Sequence, residues 1–386
     1  MKNILKSLIV VVLAFLLFSC AKEKTTGTTV PSVKVEISAS SSPALLSEIS
    51  DFSIIPLPTS DSLLVDEIRN IHSDSEYVYV SDGSSIYKFA YDGSLAGQVS
   101  KRGSGPDEYL GIDDFQINKD GNVLILSRNL KSLLLYSWEN KLLKKMDIGL
   151  WAMNICLLGN KVLLFTGNEE TPSKNQLHLF DMSTGQIERS FKPINETKAG
   201  YLHIMGKNIF RMLSDEVCVF SEMFNDSIYK ITADSYGVER IFDWDGHNVP
   251  ASFYEKNYAN VMEFFRDFHQ VGTYAYGINV YLENPSSYWV SYYYQQNCFL
   301  SIVPKNGGRV LISDKLILDT SFGEYPIELI EAAMFVQDSG DIIIPLDVMS
   351  VKEHLSSSSS KDLVGRDWQE VPDDSNPYLL VISPKK

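Results

Sequence analysis

The chain has 386 residues, of which 44% are apolar and 11% aromatic, and its 49 acidic and 34 basic side chains give a net charge of −15. This apolar fraction excludes a disordered chain, and the length suits one large or two ordinary domains. The acidic surplus argues against a nucleic-acid partner, because neutralising phosphates requires a surplus of lysine and arginine on one face.

The first twenty residues have the pattern of an export signal. Lys2 and Lys6 precede an uninterrupted apolar run over residues 8–18. At about 1.5 Å per helical residue this run is too short to cross a hydrocarbon core of about 30 Å, so residues 1–19 are interpreted as a secretory signal peptide. Residues 17–20 resemble a lipobox, which predicts that Cys20 is lipidated. An ordinary cleaved signal with an incidental cysteine is the alternative.

The segment after the signal is predicted to be a tether. Residues 20–44 are rich in Ser, Thr and Lys, which is typical of a flexible linker. The acidic body would be repelled by anionic headgroups, so we expect the lipid alone to hold the protein at the membrane. No later segment approaches about eighteen apolar residues. The pattern predicts a lipid-anchored protein of the cell envelope, at the outer membrane.

The other cysteines and the histidines predict no metal site. Cys156, Cys218 and Cys298 lie in apolar strand-like runs, and we expect them to be small core residues. The six histidines show no spacing typical of zinc ligands.

The strongest signal in the body of the chain is a repeated strand. Six five-residue runs superimpose, with apolar or aromatic residues at the second and fifth positions: residues 85–89, 132–136, 176–180, 227–231, 298–302 and 377–381. Because side chains alternate along a strand, these two positions face opposite sides. A β-rich run precedes each copy, and turn signals such as Asp-Gly fall between or after the runs. The repeated unit is predicted to be an antiparallel meander of about four strands.

The spacing of the repeats indicates a propeller. Successive copies are 47, 44, 51, 71 and 79 residues apart, and the first three intervals are close to the roughly 40 to 50 residues of a propeller blade. We predict an all-β, six-bladed β-propeller with four-stranded antiparallel blades over residues 45–386. The last strand, residues 378–382, has no fourth strand after it. We expect residues 52–57 to pair with it, which would close the ring and cover both edges.

Two insertions interrupt the β pattern. Apolar and aromatic residues recur at helical spacing between residues 254 and 268, which predicts a small helical insert after the fourth blade. Residues 350–370 of the sixth blade contain five consecutive serines and are predicted to form a long mobile loop.

A glycine-rich loop carries a resemblance to a known family. Residues Arg102, Gly103, Ser104, Gly105, Pro106, Asp107, Glu108 and Tyr109 are similar to the Gly-x-Gly-Pro-x-Glu-Tyr loop of lipid-anchored six-bladed β-propellers of Gram-negative gut bacteria, of the NHL/TolB-like type. The lipobox, Asp114-Phe115 and the residues Asp374-Ser375-Asn376-Pro377 before the last strand are also similar. The resemblance implies a propeller lipoprotein of unknown function.

The loop is interpreted as structural. Gly103, Gly105 and Pro106 predict a tight turn with partly positive φ, while Glu108 and Tyr109 can bond backbone groups or pack at a blade junction. The loop is neither a Walker nor a Rossmann motif. We favour a role between blades over ligand binding for this loop, which includes Arg102.

Ligands of propellers commonly meet the mouth of the central channel. Reading the innermost strands from the repeat pattern gives seven candidate channel or ligand-binding residues: Arg69, Asp113, Asp114, Asn154, His203, Asn279 and Glu331. A shift of one residue in strand phase would replace every member of this set. Exposed tyrosine and tryptophan rings could also stack on sugars or anchor a protein partner.

Two functions remain open from sequence. The first is a non-catalytic, monomeric lipoprotein that binds a glycan, a peptide or another envelope protein. The alternative is a propeller-type hydrolase or lyase that uses Asp, Asn and Glu of the channel to hold Ca²⁺. The sequence has no nucleophile elbow, sialidase-type box or clear carboxylate pair. We therefore assign no catalytic residue, no metal ligand and no required cofactor, and favour binding.

Overall fold

The computed structural model describes residues 30–38, 40–202 and 206–385. The predicted signal peptide, Cys20 and the candidate His203 lie outside these residues. Strands dominate the described part, and the few helices are short, so the prediction of an all-β protein is confirmed. None of the helices in these ranges has the length and apolar character needed to cross a membrane.

Six antiparallel sheets follow one another along the chain. Three strands come first: β1 (Ser32–Lys34), β2 (Ala44–Leu45) and β3 (Ser50–Pro56). Sheet 1 contains β4 (Asn70–Ser73), β5 (Tyr77–Ser81), β6 (Ile86–Ala90) and β7 (Leu95–Val99). Sheet 2 contains β8 (Asp114–Ile117), β9 (Val123–Ser127), β10 (Ser132–Tyr136) and β11 (Leu142–Asp147). Sheet 3 contains β12 (Asn154–Leu158), β13 (Lys161–Phe165), β14 (Asn175–Asp181) and β15 (Gln186–Pro193).

The later sheets repeat this meander with additions. Sheet 4 contains β16 (Phe210–Ser214), β17 (Val217–Ser221), β18 (Ser227–Ile231) and β19 (Tyr236–Asp243), and β1 pairs in parallel with β19 at its edge. Sheet 5 contains β20 (Tyr281–Glu283), β21 (Ser287–Tyr294), β22 (Asn297–Pro304) and β23 (Leu311–Ser313). A small extra sheet of β2, β24 (Lys315–Thr320) and β25 (Gly323–Glu328) was not predicted. β1 and the first residue of β2 lie within residues 20–44, where the sequence predicts a tether.

Sheet 6 joins the two ends of the chain. It contains β26 (Phe335–Val336), β27 (Ile342–Leu346) and β28 (Tyr378–Pro384), followed by β3 from the N-terminal side. β28 and β3 pair antiparallel from Tyr378 opposite Pro56 to Pro384 opposite Ser50. The predicted pairing of the last strand with the orphan strand is therefore confirmed, and it covers an edge of each strand.

Apolar clusters join each sheet to the next. Ile86 of sheet 1 and Phe115 of sheet 2 share one cluster, and equivalent clusters join sheets 2 and 3, 3 and 4, 4 and 5, and 5 and 6. A further cluster contains Ile343 of sheet 6 and Val80 of sheet 1. The order of packing is therefore cyclic, because the last sheet packs against the first.

The repeated strand has the two apolar faces that were predicted. In β6, Ile86 packs between sheets 1 and 2, whereas Phe89 packs between sheets 6 and 1. In β10, Leu133 and Tyr136 divide in the same way between the two neighbouring sheets. Cys156, Cys218 and Cys298 are buried free thiols in these clusters, which confirms the prediction that they are core residues.

The insertions differ in part from prediction. The helical insert is present, but it is divided into α3 (Ala251–Tyr254) and α4 (Val261–Val271), because Asn260 is the N-cap of α4 and accepts a hydrogen bond from the Glu263 N–H. The remaining helices are short: α1 (Leu46–Ile49), α2 (Glu196–Ala199), α5 (Val348–Leu355) and 3₁₀ turns at Arg128–Leu130 and Trp368–Glu370.

The prediction of a long mobile loop over residues 350–370 requires correction. Its first part belongs to α5, whose Val348, Val351 and Leu355 are buried on one face. Asp347 caps this helix by accepting a hydrogen bond from the Ser350 N–H. Trp368, near the other end, is only 6% exposed and packs in the cluster of sheets 5 and 6. The five serines dominate the composition of this segment, so the sequence did not indicate these apolar contacts.

Candidate functional site

Polar side chains connect the first strands of sheets 1, 2 and 3. Asp114 of β8 is 4% exposed, and each of its two carboxylate oxygens accepts two hydrogen bonds. Oδ1 accepts from the Asn70 side chain at 2.5 Å and from the Phe115 N–H at 2.9 Å. Oδ2 accepts from the Ile155 N–H at 2.8 Å and from the Asn154 side chain at 3.4 Å. Two of the predicted channel residues, Asp114 and Asn154, therefore meet.

The surroundings of Asp114 act on its charge in opposite directions. Burial raises the pKa of this carboxyl group to about 7, because the ionised form loses its water. The four N–H donors favour the ionised form but do not fully offset the burial. Asp114 thus links three sheets at a site where burial makes ionisation of its carboxyl group unfavourable in free energy.

Two further amides connect the other sheets. The Asn208 side chain donates to the carbonyl oxygens of Asn279 and Met334, at 2.7 and 2.9 Å, and accepts from the Val336 N–H at 2.9 Å. The Gln337 side chain donates to the Ile71 carbonyl oxygen at 3.3 Å, which links sheet 6 to sheet 1. These contacts place amides of the first strands, or of residues next to them, at the junctions between sheets.

The other predicted channel residues do not converge on Asp114. Asp113 pairs with Arg128 at 3.2 Å. Arg69 is exposed, and its side chain lies so close to Gly83 that a Cβ at position 83 would clash with it. Asn279 and Glu331 line a separate cavity of about 290 Å³ together with Lys207. Within residues 30–38, 40–202 and 206–385, no three His, Cys, Asp or Glu side chains are grouped so that they could hold a metal ion.

A second polar site lies between sheets 3 and 4, and the sequence analysis missed it. We call this cavity of about 210 Å³ the cleft, and its polar lining includes Gln176, Lys192, Lys198, Glu222 and Asn225. Gln176 and Lys192 come from the paired strands β14 and β15, whereas Glu222 follows β17. Lys198 lies on α2. Four separate segments therefore bring these groups together.

Lys192 forms a largely buried ion pair in the cleft. Its Nζ lies 2.5 Å from Glu222 Oε2 and donates to Gln176 Oε1 at 2.5 Å. The side chains of Lys192 and Glu222 are only 13% and 16% exposed. Lys192 has φ = 62°, and Phe224, which also lines the cleft, has φ = 62°. Such left-handed residues cost about 1 kcal/mol or more each and occur more often at functional sites than elsewhere.

Lys198 carries a second positive charge in the cleft. Its Nζ donates to the Phe224 carbonyl oxygen at 3.0 Å and lies 3.6 Å from the centre of the Tyr254 ring. Burial lowers the pKa of this ammonium group to about 8, although Glu222 and Asp226 act in the opposite direction. Among the described residues, no carboxylate lies within ion-pair distance of Lys198.

One sequence signal could have indicated the cleft. The first position of the repeated strand is Ser, Cys or Pro in five copies and Gln176 in the sixth. Gln176 is 2% exposed, and its amide donates to Asn168 Oδ1 at 2.8 Å while its oxygen accepts from Lys192. A long amide in an otherwise apolar strand must find such partners, so it points to a polar site.

The glycine-rich loop closes on itself beside sheets 1 and 2. Glu108 Oε2 accepts a hydrogen bond from the Gly105 N–H at 2.7 Å. A Cβ at Gly103 would lie 2.0 Å from this same carboxylate oxygen, and neither Gly103 nor Gly105 has a positive φ. The expectation of positive φ was therefore wrong, since these glycines are needed for the close approach of Glu108. Arg102 donates to Ser84 Oγ at 3.0 Å, and Pro106 is exposed.

Tyr109 anchors the loop in the core. Its side chain is fully buried in the cluster between sheets 1 and 2. Its hydroxyl donates to the Ser84 carbonyl oxygen at 2.8 Å and accepts from the Lys101 N–H at 3.0 Å. These contacts tie the loop to the two sheets, as a structural role requires.

Comparisons with known proteins give a family and two related structures. The chain is similar to a protein from Bacteroides fragilis NCTC 9343 that is described as exported, with 19% identity and a TM-score of 0.71 over 93% of this chain and 100% of the other. It is also similar to a DUF4221 family member from Bacteroides vulgatus ATCC 8482, with 11% identity and a TM-score of 0.50 over 87% and 97% of the two chains. A search of curated proteins finds no match. A family profile covers residues 30–383, and the chain belongs to the family described as Domain of unknown function (DUF4934).

Proposed function

We propose that this chain is a lipid-anchored, six-bladed β-propeller of the cell envelope that binds a ligand in the cleft without converting it chemically. The six-bladed architecture is supported by the cyclic order of the apolar clusters and by the pairing of β28 with β3. It is also supported by the amide contacts near the first strands, since Asn208, before sheet 4, donates to Asn279, before sheet 5, and Gln337 of sheet 6 donates to Ile71 of sheet 1. In this arrangement each of the six sheets is one blade.

The observation that carries the binding function is the polar lining of the cleft. Lys192, Glu222 and Gln176 form a largely buried network whose geometry is fixed by two paired strands and by the end of a third. Ligand sites are concave and place a few oriented polar groups among apolar ones. Met153, Phe165 and Leu202 supply the apolar part of this lining.

The predicted channel residues offer a weaker alternative for binding. The four hydrogen bonds accepted by Asp114 use its lone pairs. Asp113 is occupied by Arg128. Asn279 and Glu331 line a different cavity, which they share with Lys207. The proposal therefore locates binding in the cleft rather than at the channel residues chosen from sequence.

The envelope location is supported by residues 1–20. The similar protein of Bacteroides fragilis is described as exported. Replacing Cys20 by Ala tests the anchor, because a protein held only by its lipid should leave the membrane fraction when the acceptor thiol is removed. Continued fractionation of the Cys20→Ala protein with membranes would contradict the anchoring proposal.

Ligand binding is tested by a thermal-shift screen of the full chain against glycans and peptides. We expect at least one ligand to raise the melting temperature, since binding to the folded state stabilises it. Pro193→Trp should abolish the shift by filling the mouth of the cleft, because Pro193 is an exposed residue of its lining. Ile187→Trp is the matched control, since Ile187 is exposed on the same strand outside the cleft. Shifts that survive Pro193→Trp unchanged would rule the cleft out as the binding site.

A further inference from the structure

The cleft contains more hydrogen-bond donors than its own residues use. An ammonium group has three N–H donors. Lys192 uses two of them on Glu222 and Gln176, and Lys198 uses one on the Phe224 carbonyl oxygen. Asn195 lines the cleft and uses its side-chain oxygen to cap α2, which leaves its amide donors exposed.

The side-chain acceptors of the cleft, in contrast, each already have at least one donor from the chain. Glu222 Oε2 accepts from both Lys192 and Asn225. Gln176 Oε1 accepts from Lys192, and Asn168 Oδ1 accepts from Gln176. Asn225 Oδ1 accepts from the Ser227 N–H. The unused N–H donors of the lysines and of Asn195 therefore favour a ligand that offers acceptors.

The charge of the cleft points in the same direction. Its lining contains two lysines and one carboxylate, and the carboxylate is paired with Lys192. Lys198 is thus a half-buried positive charge with a carbonyl and an aromatic ring for partners, and such a charge is costly until an anion reaches it. Charge-assisted hydrogen bonds to an anion are about twice as strong as neutral ones.

We infer that the cleft binds an acidic sugar and that Lys198 receives its carboxylate. This inference rests on the proposed function and names the ligand class of the same site. A sugar suits the lining because each of its hydroxyl groups can accept a hydrogen bond from the N–H donors of the cleft and can also donate one. The volume of about 210 Å³ is below the roughly 300 Å³ of small drug-sized sites, which favours a single ring at the end of a glycan.

Isothermal titration calorimetry of the full chain with galacturonate and with uncharged galactose tests this inference. We expect galacturonate to bind at least tenfold more tightly than galactose. Lys198→Gln should weaken galacturonate binding at least tenfold, and Lys198→Arg should retain most of it. Galacturonate affinity should also fall as the pH rises above 8, because the ammonium group then loses its proton.

Lys88→Gln is the matched control for Lys198→Gln. Lys88 also holds its Nζ 3.6 Å from the centre of a tyrosine ring, that of Tyr77, but it lies on sheet 1 and does not line the cleft. Its replacement should leave galacturonate affinity unchanged. An equal loss with Lys88→Gln would show that net charge, not the position of Lys198, determines binding and would overturn the inference.

The failures of the two proposals can be told apart. If galacturonate and galactose bind equally and neither depends on Lys198, the acidic-sugar inference is wrong while binding in the cleft remains. If N-acetylalanine binds through Lys198 and galacturonate does not, the ligand class is wrong and a peptide carboxylate replaces it. If no glycan or peptide gives a shift that Pro193→Trp abolishes, the proposed function itself fails.

Discussion

The Asp114 junction and the cleft both bury charged groups, but they use their hydrogen-bonding capacity differently. Asp114 accepts four hydrogen bonds from sheets 1, 2 and 3, so its carboxylate has no capacity left for a ligand. Lys198 has a carbonyl and a ring as neighbours and keeps N–H donors available. A buried charged group whose hydrogen-bonding capacity is fully used by its own chain indicates a structural role. A charged group beside a cavity that keeps unused donors indicates ligand binding. Substitutions at the first should therefore reduce stability, and substitutions at the second should reduce binding.

The largest effect is expected from Asp114→Asn. The new amide cannot accept all four hydrogen bonds, so at least one buried backbone N–H, of Phe115 or Ile155, loses its partner. We expect the free energy of unfolding to fall by about 3 kcal/mol, within the range for breaking a buried charged hydrogen-bond network. Urea denaturation measures this change.

Asp113→Asn is the control for Asp114→Asn. Asp113 is the adjacent carboxylate, but it is less buried and pairs with Arg128 at 3.2 Å. Partly exposed ion pairs contribute about 1 kcal/mol or less, so this variant should lose far less stability. Equal losses at the two positions would contradict the assignment of Asp114 as a saturated structural group.

The second-largest loss of stability is expected where the segment before β28 contacts the segment after β3. Asn376 is 4% exposed, its amide donates to the carbonyl oxygens of Pro58 and Leu63 at 2.6 and 2.9 Å, and its oxygen accepts from the Val65 N–H at 2.8 Å. Asn376→Ala should lower the free energy of unfolding by about 2 kcal/mol, since these backbone groups lose their partner. Asp374→Ala, at an exposed residue of the same motif, should change it by less than about 0.5 kcal/mol. Comparable unfolding midpoints for the two variants would mean that Asn376 does not hold the closure.

A smaller effect is expected in the glycine-rich loop. Tyr109→Phe removes one hydroxyl that donates to the Ser84 carbonyl oxygen and accepts from the Lys101 N–H, while it keeps the buried ring. We expect a loss of about 1 kcal/mol, which is the usual net value of a buried hydrogen bond. Tyr91→Phe is the control, because the Tyr91 hydroxyl makes a 2.7 Å bond to the Asp74 carbonyl oxygen on a ring that is 38% exposed. Thermal unfolding of both variants would show whether the loop is held by the Tyr109 hydroxyl.

The repeated sheets could be predicted from sequence because the third strand of each sheet packs against a neighbouring sheet on both of its faces. Ile86 and Phe89 are apolar for the same reason as Leu133 and Tyr136, namely that a neighbouring sheet covers each face. The closure was also predictable, because residues 52–57 read as a strand without a partner. The helix α5 was not, because its three buried residues are few beside the polar residues around them.

The candidate site was less predictable for two physical reasons. Asp113 and Asp114 are adjacent, yet one pairs at the surface of its turn and the other is buried, and a shift of one residue decides between these outcomes. The cleft assembles Gln176, Lys192 and Glu222 from segments far apart in the chain. Spacing along a sequence does not reveal such a convergence, although the exceptional Gln176 was a local sign of it.

The smallest loss of stability is expected from substitution of Lys198, and the pH dependence of stability tests the comparison most directly. The pKa of Lys198 is about 8 in the folded protein, whereas an unfolded lysine has a pKa of about 10.4. Between these values the unfolded state binds more protons, so Lys198 makes the wild-type protein gain stability as the pH rises from 8 to 10. Lys198→Met should not lower the free energy of unfolding at pH 7, because it removes a charge whose burial is costly, and it should lack this gain, whereas Lys88→Met should keep it. Urea denaturation at pH 7, 8, 9 and 10 measures the difference. If Lys198→Met instead destabilises the protein as much as Asp114→Asn does, Lys198 is a structural group, and the contrast between the two regions is lost.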